Sequence, residues 1–386
     1  MAGLATFGLL YAPQPLLAML AQRYHLDPVS ASLVLSVSTL GLVVGVVPVA
    51  AVTHTWCGRK VILVSLATAT LLAVAGALAP NWSTLLLLRG LEGAALSAVP
   101  ATALAYATQT AGLSRAGLVS GLYIAGTTVG GLSGRVVGGV LGDLGGWRLG
   151  VGGVAVLAGL STASAWRLLP PGRRSSFHER RDRGATPTWS AFTALWREAD
   201  PLQMGLCLIA ALLMTAFVAT YNTMTFRLTR APYLLSASAI GLIFLVYLAG
   251  TLASAVAGRL ADLVPRRLLI AAFSLLITAG AVVMSARELR YVVLGLALLT
   301  AGFFAAHGVA NGWVGLAAAR YRGTATARYT VWYYAGSTLG GPLGGLAFTI
   351  GGWVATAVLV GTLGVASAAV ALALPPVTAP GDHRVH

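Results

Sequence analysis

Two residues of opposite charge, Arg89 and Glu92, stand three positions apart in an otherwise apolar stretch. On a helix that spacing places them on one face, about one turn from each other. With the midpoint of the stretch near Ala94, both fall within roughly 10 Å of it at 1.5 Å per residue. If the stretch crosses a bilayer, a charge at that depth costs about 2.5–3.5 kcal/mol even on lenient insertion scales. Two readings follow. Glu92 could exchange a proton, Arg89 favouring the carboxylate and a dry contact the acid; or the pair is permanent and only makes both charges tolerable. Arg135 sits among glycines, whose missing side chains let it approach its neighbours closely. It could offer its fork of donors to an anionic or polar substrate, or it could snorkel outward or pair with Asp143 about two turns on. His307 could relay protons or bind substrate, with a reference pKa of about 6.5, or it could be a neutral core residue.

These residues need elements that hold them. The chain has 386 residues, of which 57% are hydrophobic and only 9% charged, against about 25% charged in soluble domains. Its mean hydropathy is +0.83. Ten acids and 25 bases cannot keep that much apolar surface in water. The chain reads as a polytopic membrane protein. At roughly 20 residues per span, it has room for twelve spans and for no sizeable soluble domain. Apolar runs place them near 2–21, 30–52, 61–79, 83–106, 117–141 and 148–166, then 202–225, 236–257, 268–285, 291–313, 329–350 and 354–374. The first run lacks a basic leader and a small-residue cleavage site, so it reads as a span rather than a signal peptide.

Lys and Arg in alternate loops set the orientation. Arg59, Lys60, Arg115, the seven arginines of 167–197, Arg259, Arg266, Arg267, Arg320, Arg322, Arg328 and Arg384 make 17 on one side, against 6 on the other. The first side is expected to be cytoplasmic, in the inner membrane of a bacterium, with both termini on it. The +15 net charge is thereby assigned to loops facing an anionic leaflet, not to nucleic acid. Residues 167–201 read as a basic cytoplasmic linker between a first bundle, 1–166, and a second, 202–374, with 375–386 as a cytoplasmic tail. Residues 189–196 could be a helix lying on the membrane surface or part of that linker. Cys57 and Cys207 fall in unrelated places and imply neither disulfide nor metal site.

The halves repeat. The run from Ala125 to Gly131 (AGTTVGG) recurs from Ala335 to Gly341 (AGSTLGG), 210 positions on. A tyrosine precedes each copy (Tyr123, Tyr333) and a Gly-Gly-Trp follows (Trp147, Trp353), while Tyr11 and Tyr221 share the same offset. Such an offset places span n on span n+6, so the halves have one orientation, as in carriers that rock around a site between them.

At these residues the chain resembles the major facilitator superfamily, in its bacterial drug and sugar efflux branch of arabinose-efflux-permease-like carriers. The cytoplasmic loop signature Gly-x-Leu-x-Asp-x-x-Gly-Arg-Arg/Lys is similar to Gly258, Leu260, Asp262, Arg266 and Arg267, with Pro265 between. In the first half Gly58, Arg59 and Lys60 survive, but Ala51 and Thr55 replace the leading Gly and the Asp. Arg89-Gly90-Leu91-Glu92-Gly93 is similar to the fourth-span Arg-x-x-Gln-Gly signature, with Glu replacing Gln. The run from Gly130 to Gly139 resembles the fifth-span antiporter signature with Arg135 at its proline position, where the second half has Gly345. Phe303-Phe304 with His307, Asn311-Gly312-Trp313 and Tyr221-Asn222 also look like this branch.

The resemblance implies an all-α fold of twelve helices in two parallel six-helix bundles. It also implies a central cavity to which Tyr11, Gln14, Tyr221, Asn222, His307 and Asn311 are candidate contributors, and a proton-coupling role for the arginine matching Arg89. Asp262 is expected near the N-terminus of span five, favoured by its dipole, where it would latch the cytoplasmic side; Thr55 cannot supply that charge. Gly130, Gly134, Gly138, Gly340 and Gly344 read as helix-packing positions. The expected function is secondary transport, most simply proton-coupled export of a small amphiphile, drug or sugar-like molecule. A carrier of small organic anions is the alternative, because two membrane arginines face one acid. An intramembrane enzyme lacks its nucleophile–base pair or metal cluster, and a receptor would more often carry a folded cytoplasmic domain. No cofactor is called for, and a monomer is expected.

Overall fold

The computed structural model describes residues 1–53, 56–111, 116–170, 200–318 and 324–375. Residues 171–199 of the basic linker, the tail beyond 375, Thr55 and the residues 112–115 that lead into span five therefore lie outside the described residues. Among those described, nine helices are long and apolar enough to cross a membrane. Two of the nine are double. The helix at 116–168 reverses at Gly145–Gly146 and that at 324–373 at Gly351–Gly352. The second glycine of each pair has positive φ, +79° and +59°, a conformation open to glycine without strain. The repeated Gly-Gly-Trp is thus a tight reversal between adjacent spans. Trp82–Leu96, continued by Val99–Ala111, supplies one more.

Twelve spans result. They are α1 (Ala2–Tyr24), α2 (Pro28–Thr53), α3 (Gly58–Ala77), α4 (82–111), α5 (116–144), α6 (147–168), α7 (Pro201–Leu228), α8 (Ala237–Leu260), α9 (Arg266–Val283), α10 (Leu289–Ala318), α11 (324–350) and α12 (353–373). Several start with a side-chain cap on an otherwise orphaned N–H: Asn81 for α4, Asp200 for α7 and Ser236 for α8. Leu71 and Leu252, each 70% exposed on the outer surface, are placed as lipid-facing side chains require.

Packing repeats as the sequence does. In the first half α1 lies on α5, and α4 on α2 and α3; in the second, α7 lies on α11, and α10 on α8 and α9. The glycines explain how closely the first pairs approach. A Cβ at Gly130, Gly134 or Gly138 would come within 2.4, 2.4 and 2.9 Å of the Leu4, Gly8 and Ala12 carbonyl oxygens; Gly340 and Gly344 meet Thr215 and Ala219 in the same way.

One expectation is corrected. Arg328 belongs to the interior, not to a loop: α11 begins at residue 324, Arg328 is 1% exposed, and its Nη1 donates to Gln203 Oε1 on α7. Its spacing from the apolar run suggested a loop because a helix can extend beyond the stretch that hydropathy detects.

Candidate functional site

The halves meet along three lines: α1 with α7, α5 with α8, and α2 with α11. Seven hydrogen bonds join the halves between described residues, from the level of Thr39–Thr338 to the end of the bundle away from the termini. We call this the far end.

Arg135 occupies the middle of that closure. Two helix interruptions flank it. In α1, Pro13 cannot continue the α-ladder, and a short 3-10 turn at Gln14–Leu16 replaces it. In α8 a second 3-10 turn runs over Phe244–Val246. These turns aim Gln14 from one half and Phe244 and Tyr247 from the other at the guanidinium. Arg135 Nε donates to Gln14 Oε1 (2.7 Å), Nη1 to the Gly131 carbonyl (2.6 Å) and Nη2 to the Tyr247 hydroxyl (2.9 Å). Its carbon centre lies 4.2, 4.6 and 5.4 Å from the rings of Tyr11, Tyr247 and Phe244. The residue is 2% exposed. The three desolvated ring contacts, at about 2 kcal/mol each, go far toward the several kcal/mol that burying an ion costs, but they leave its charge unneutralised. Among the described residues, no carboxylate compensates it.

Asp143, the partner considered for Arg135, is engaged elsewhere. Its carboxylate accepts from the Ala237 N–H (3.0 Å), the Ser238 N–H (2.8 Å) and the Ser238 hydroxyl, so it caps the N-terminus of α8 across the halves. It lies beyond the apolar span of 117–141. Burial alone would raise its carboxyl, but donors from Ser238, Ser236 and Ala237 together hold it below its ordinary value. Gln14 continues the polar row, donating Nε2 to Asn222 Oδ1 on α7 (2.8 Å), while its carbonyl accepts from Thr225.

Arg89 and Glu92 sit behind α1. Both carboxylate oxygens accept from Arg89 Nη1 at 2.7 Å, and each residue is 1% exposed. Arg89 also donates to the carbonyls of Val34, Leu9 and Leu10. The Leu9 contact has a clear origin. In an unbroken helix that carbonyl would accept from residue 13, but proline has no N–H. Arg89 replaces the missing donor and ties the α1 break to α4. In a bilayer, where water cannot do so, the substitution matters more.

A twelve-helix chain with duplicated packing and a polar seam between its halves matches known proteins throughout. The Major Facilitator Superfamily matches residues 1–306 and again 231–386. The chain belongs to that superfamily. It is an integral membrane protein and a transporter. Among similar proteins are the MFS-type transporter YybF of Bacillus subtilis (strain 168), 34% identical over 89% of this chain and 84% of the relative, and the inner membrane transport protein YnfM of Escherichia coli (strain K12), 32% identical over 91% and 83%. The fold is similar to that of a bacterial homolog of the human lysosomal transporter Spinster. Its inward-facing unoccupied and occupied structures give TM-scores of 0.68 and 0.72 at 17% and 16% identity, covering 96% of this chain and 93% and 92% of theirs.

The remaining candidates of this superfamily member divide. His307 Nδ1 pairs with the Tyr329 hydroxyl at 2.9 Å, and its ring stacks between Phe303 and Tyr329. Tyr221 is fully buried and shares a 2.6 Å hydrogen bond with Thr300 inside the second half. Asn311 is exposed on α10. Gly58 opens α3, Arg59 donates to the Trp166 and Leu169 carbonyls, and Lys60 lies over Trp56. Asp262, beyond α8 and Gly258, is exposed just before Arg266 and Arg267 open α9; the residues 112–115 that lead into α5, its expected partner, lie outside the described residues. A surface groove lined by Arg59, Lys60 and Trp166 runs along α3 and α6, away from the seam. Sequence reasoning missed Tyr247, Phe244 and Arg328. A 3-10 turn without proline leaves no sequence mark, so nothing pointed to the first two; for Arg328, helical continuity upstream of the apolar run was the available signal.

Proposed function

We propose that the chain is a secondary active transporter that exports a small amphiphile, drug or sugar-like molecule in exchange for protons, by alternating access. The observation that carries this reading is the one-sided closure: the seven hydrogen bonds that join the halves between described residues lie toward the far end. With Arg328 removed to the interior, the 16 to 6 asymmetry of loop bases argues that the far end is external and the termini cytoplasmic. The described contacts then close the external side, and an outward-facing conformer requires that seam to part.

A route connects the proton site to the seam. Glu92 holds Arg89, Arg89 holds the Leu9 and Leu10 carbonyls at the break of α1, and the next turn presents Gln14 to Arg135 and Asn222. Neutralising Glu92 removes the ionic part of its hold on Arg89. That loosens the grip on α1 and biases the seam toward parting, a population shift driven by a proton.

The test needs no known substrate. Ala237 is 4% exposed in the closed seam, so Ala237→Cys, in protein lacking Cys57 and Cys207, should react with an impermeant maleimide only when the far end opens. An imposed proton gradient should change its labelling rate severalfold, and Glu92→Gln should remove that response. Labelling that never varies would sink alternation. A response that persists in Glu92→Gln would move the proton site elsewhere, first to His307.

A further inference from the structure

We propose that Arg135 and Asn222 form the recognition site for an organic anion with a flat apolar body. The inference deepens the transport reading, on which it rests, by naming the class of substrate. A guanidinium has five N–H donors. At Arg135 three are engaged, by Gln14, Gly131 and Tyr247, which leaves two without an acceptor among the described residues. Among the described residues, no acid within the spans or at their far ends is available to it. Both oxygens of Glu92 face Arg89, Asp143 caps α8, and Asp27 caps α2 through the Ser30 N–H.

Beside this cation stand further unused polar groups. Asn222 Nδ2 and Ser36 Oγ are buried without hydrogen-bond partners. A Cβ built on Gly341 would lie 3.1 Å from the first and 2.7 Å from the second, so both are packed against that glycine, and parting of the seam there uncovers them together. Asn222 is tied to Arg135 through Gln14, whose two ends bond one residue each. A spare donor pair on Arg135, a spare amide on Asn222 and a hydroxyl on Ser36 are complementary to a carboxylate or sulfonate, which is rich in acceptors and carries the missing charge. They offer little to a cation. The rings of Tyr11, Tyr247 and Phe244 provide flat faces around the same centre, which suits a planar apolar body.

Binding and gating are then one event. The Arg135–Tyr247 bond joins the halves, and an anion that takes Nη2 replaces an acceptor from the opposite half. Capture from the closed conformer removes a crossing bond and favours parting of α5 from α8. Asp143 keeps the clasp until then.

The experiment compares 2-naphthoate with its neutral counterpart 2-naphthamide, by calorimetry on the full-length protein in detergent. Wild type should bind the carboxylate at least tenfold more tightly. Arg135→Gln should bring the two affinities within twofold, and Asn222→Ala should weaken the carboxylate alone severalfold. Tyr247→Phe, which removes the competing hydroxyl, should tighten the carboxylate about threefold and leave the amide unchanged; loss of a structural residue would not produce that gain. Should Arg135→Gln not fold, as judged by its thermal unfolding, Asn222→Ala and Tyr247→Phe decide. Equal affinities in wild type, no binding of the carboxylate up to 10 mM, or a preference that survives Arg135→Gln would each overturn the proposal. Failure here leaves Ala237→Cys labelling free to alternate, so the substrate class and the transport reading fail separately.

Discussion

Where α5 meets α8, the contact is made by an arginine held between Gln14 and Tyr247 and by a carboxylate seated on a helix N-terminus. Where α11 meets α2, it is made by small residues: Gly345 against Pro28 and Val29, Gly341 against Ser32 and Ser36, and a Thr39–Thr338 hydroxyl pair at 3.1 Å. The repeat makes these two seams counterparts, with Gly345 at the place of Arg135. They differ in what resists parting. Charge and directed hydrogen bonds hold the first, so binding can compete for it. Close steric fit holds the second, which among the described residues carries no charge and offers a solute only serine hydroxyls at its edge. One seam is suited to sensing and the other to pivoting.

The sharpest way to break this contrast is to add bulk to the steric seam. A Cβ at Gly345 would fall 2.8 Å from the Pro28 backbone, which cannot swing aside as a side chain can. Overpacking of this kind costs about 1–3 kcal/mol. Gly345→Val should therefore prop the far end open, with Ala237→Cys labelling rising up to about a hundredfold. Arg135→Gln comes next. It should abolish anion preference while labelling rises less, because Asp143 remains.

Asp143→Asn should act more weakly still. The amide oxygen can still cap α8, but the charge at its N-terminus is lost. For an exposed group this amounts to about 1 kcal/mol after solvent screening, hence about fivefold in labelling. Since its carboxyl lies below the ordinary range in the closed state, the contribution to closure is fully present above that range and fades as pH falls through the lowered value. Between about pH 5 and 8 the clasp should be insensitive to pH, as labelling of the Glu92→Gln protein would report. A steep wild-type-like response there would place the proton switch neither at Glu92 nor at this seam, and His307 would be examined first. Thr338→Val is the smallest perturbation. It removes one hydroxyl contact from a sterically held seam and should change labelling less than twofold; a larger effect would mean that the second seam is polar in function as well.

Much of this was legible in the residues. Hydropathy located the spans, and the Ala-Gly-Ser/Thr-Thr repeat related them. Arg89 and Glu92 were paired from their spacing alone, because i, i+3 is a local relation that any helix enforces. Arg135 was recognisable as a problem but not as a solution. Its reach toward Gln14 and Tyr247 depends on residues 121 and 112 positions away in the chain, and the nearer Asp143 looked the better partner until α8 claimed it. Arg328 shows the same limit, since only the helix start at 324 and Gln203 on α7 place it inside.

Residence in a membrane, the parallel duplication of the halves and the presence of charges within the spans all follow from the order of the residues. Composition, periodicity and repeat offset are properties of the chain as written, and water and lipid sort them without reference to tertiary contacts. Tertiary structure decided the partners. Which acid answers which base, which carbonyl receives the donor that Pro13 withholds, and which seam carries charge all depend on helices brought together from distant segments. Inside a bilayer those pairings are settled by whichever polar group can reach, because no water is present to satisfy the rest.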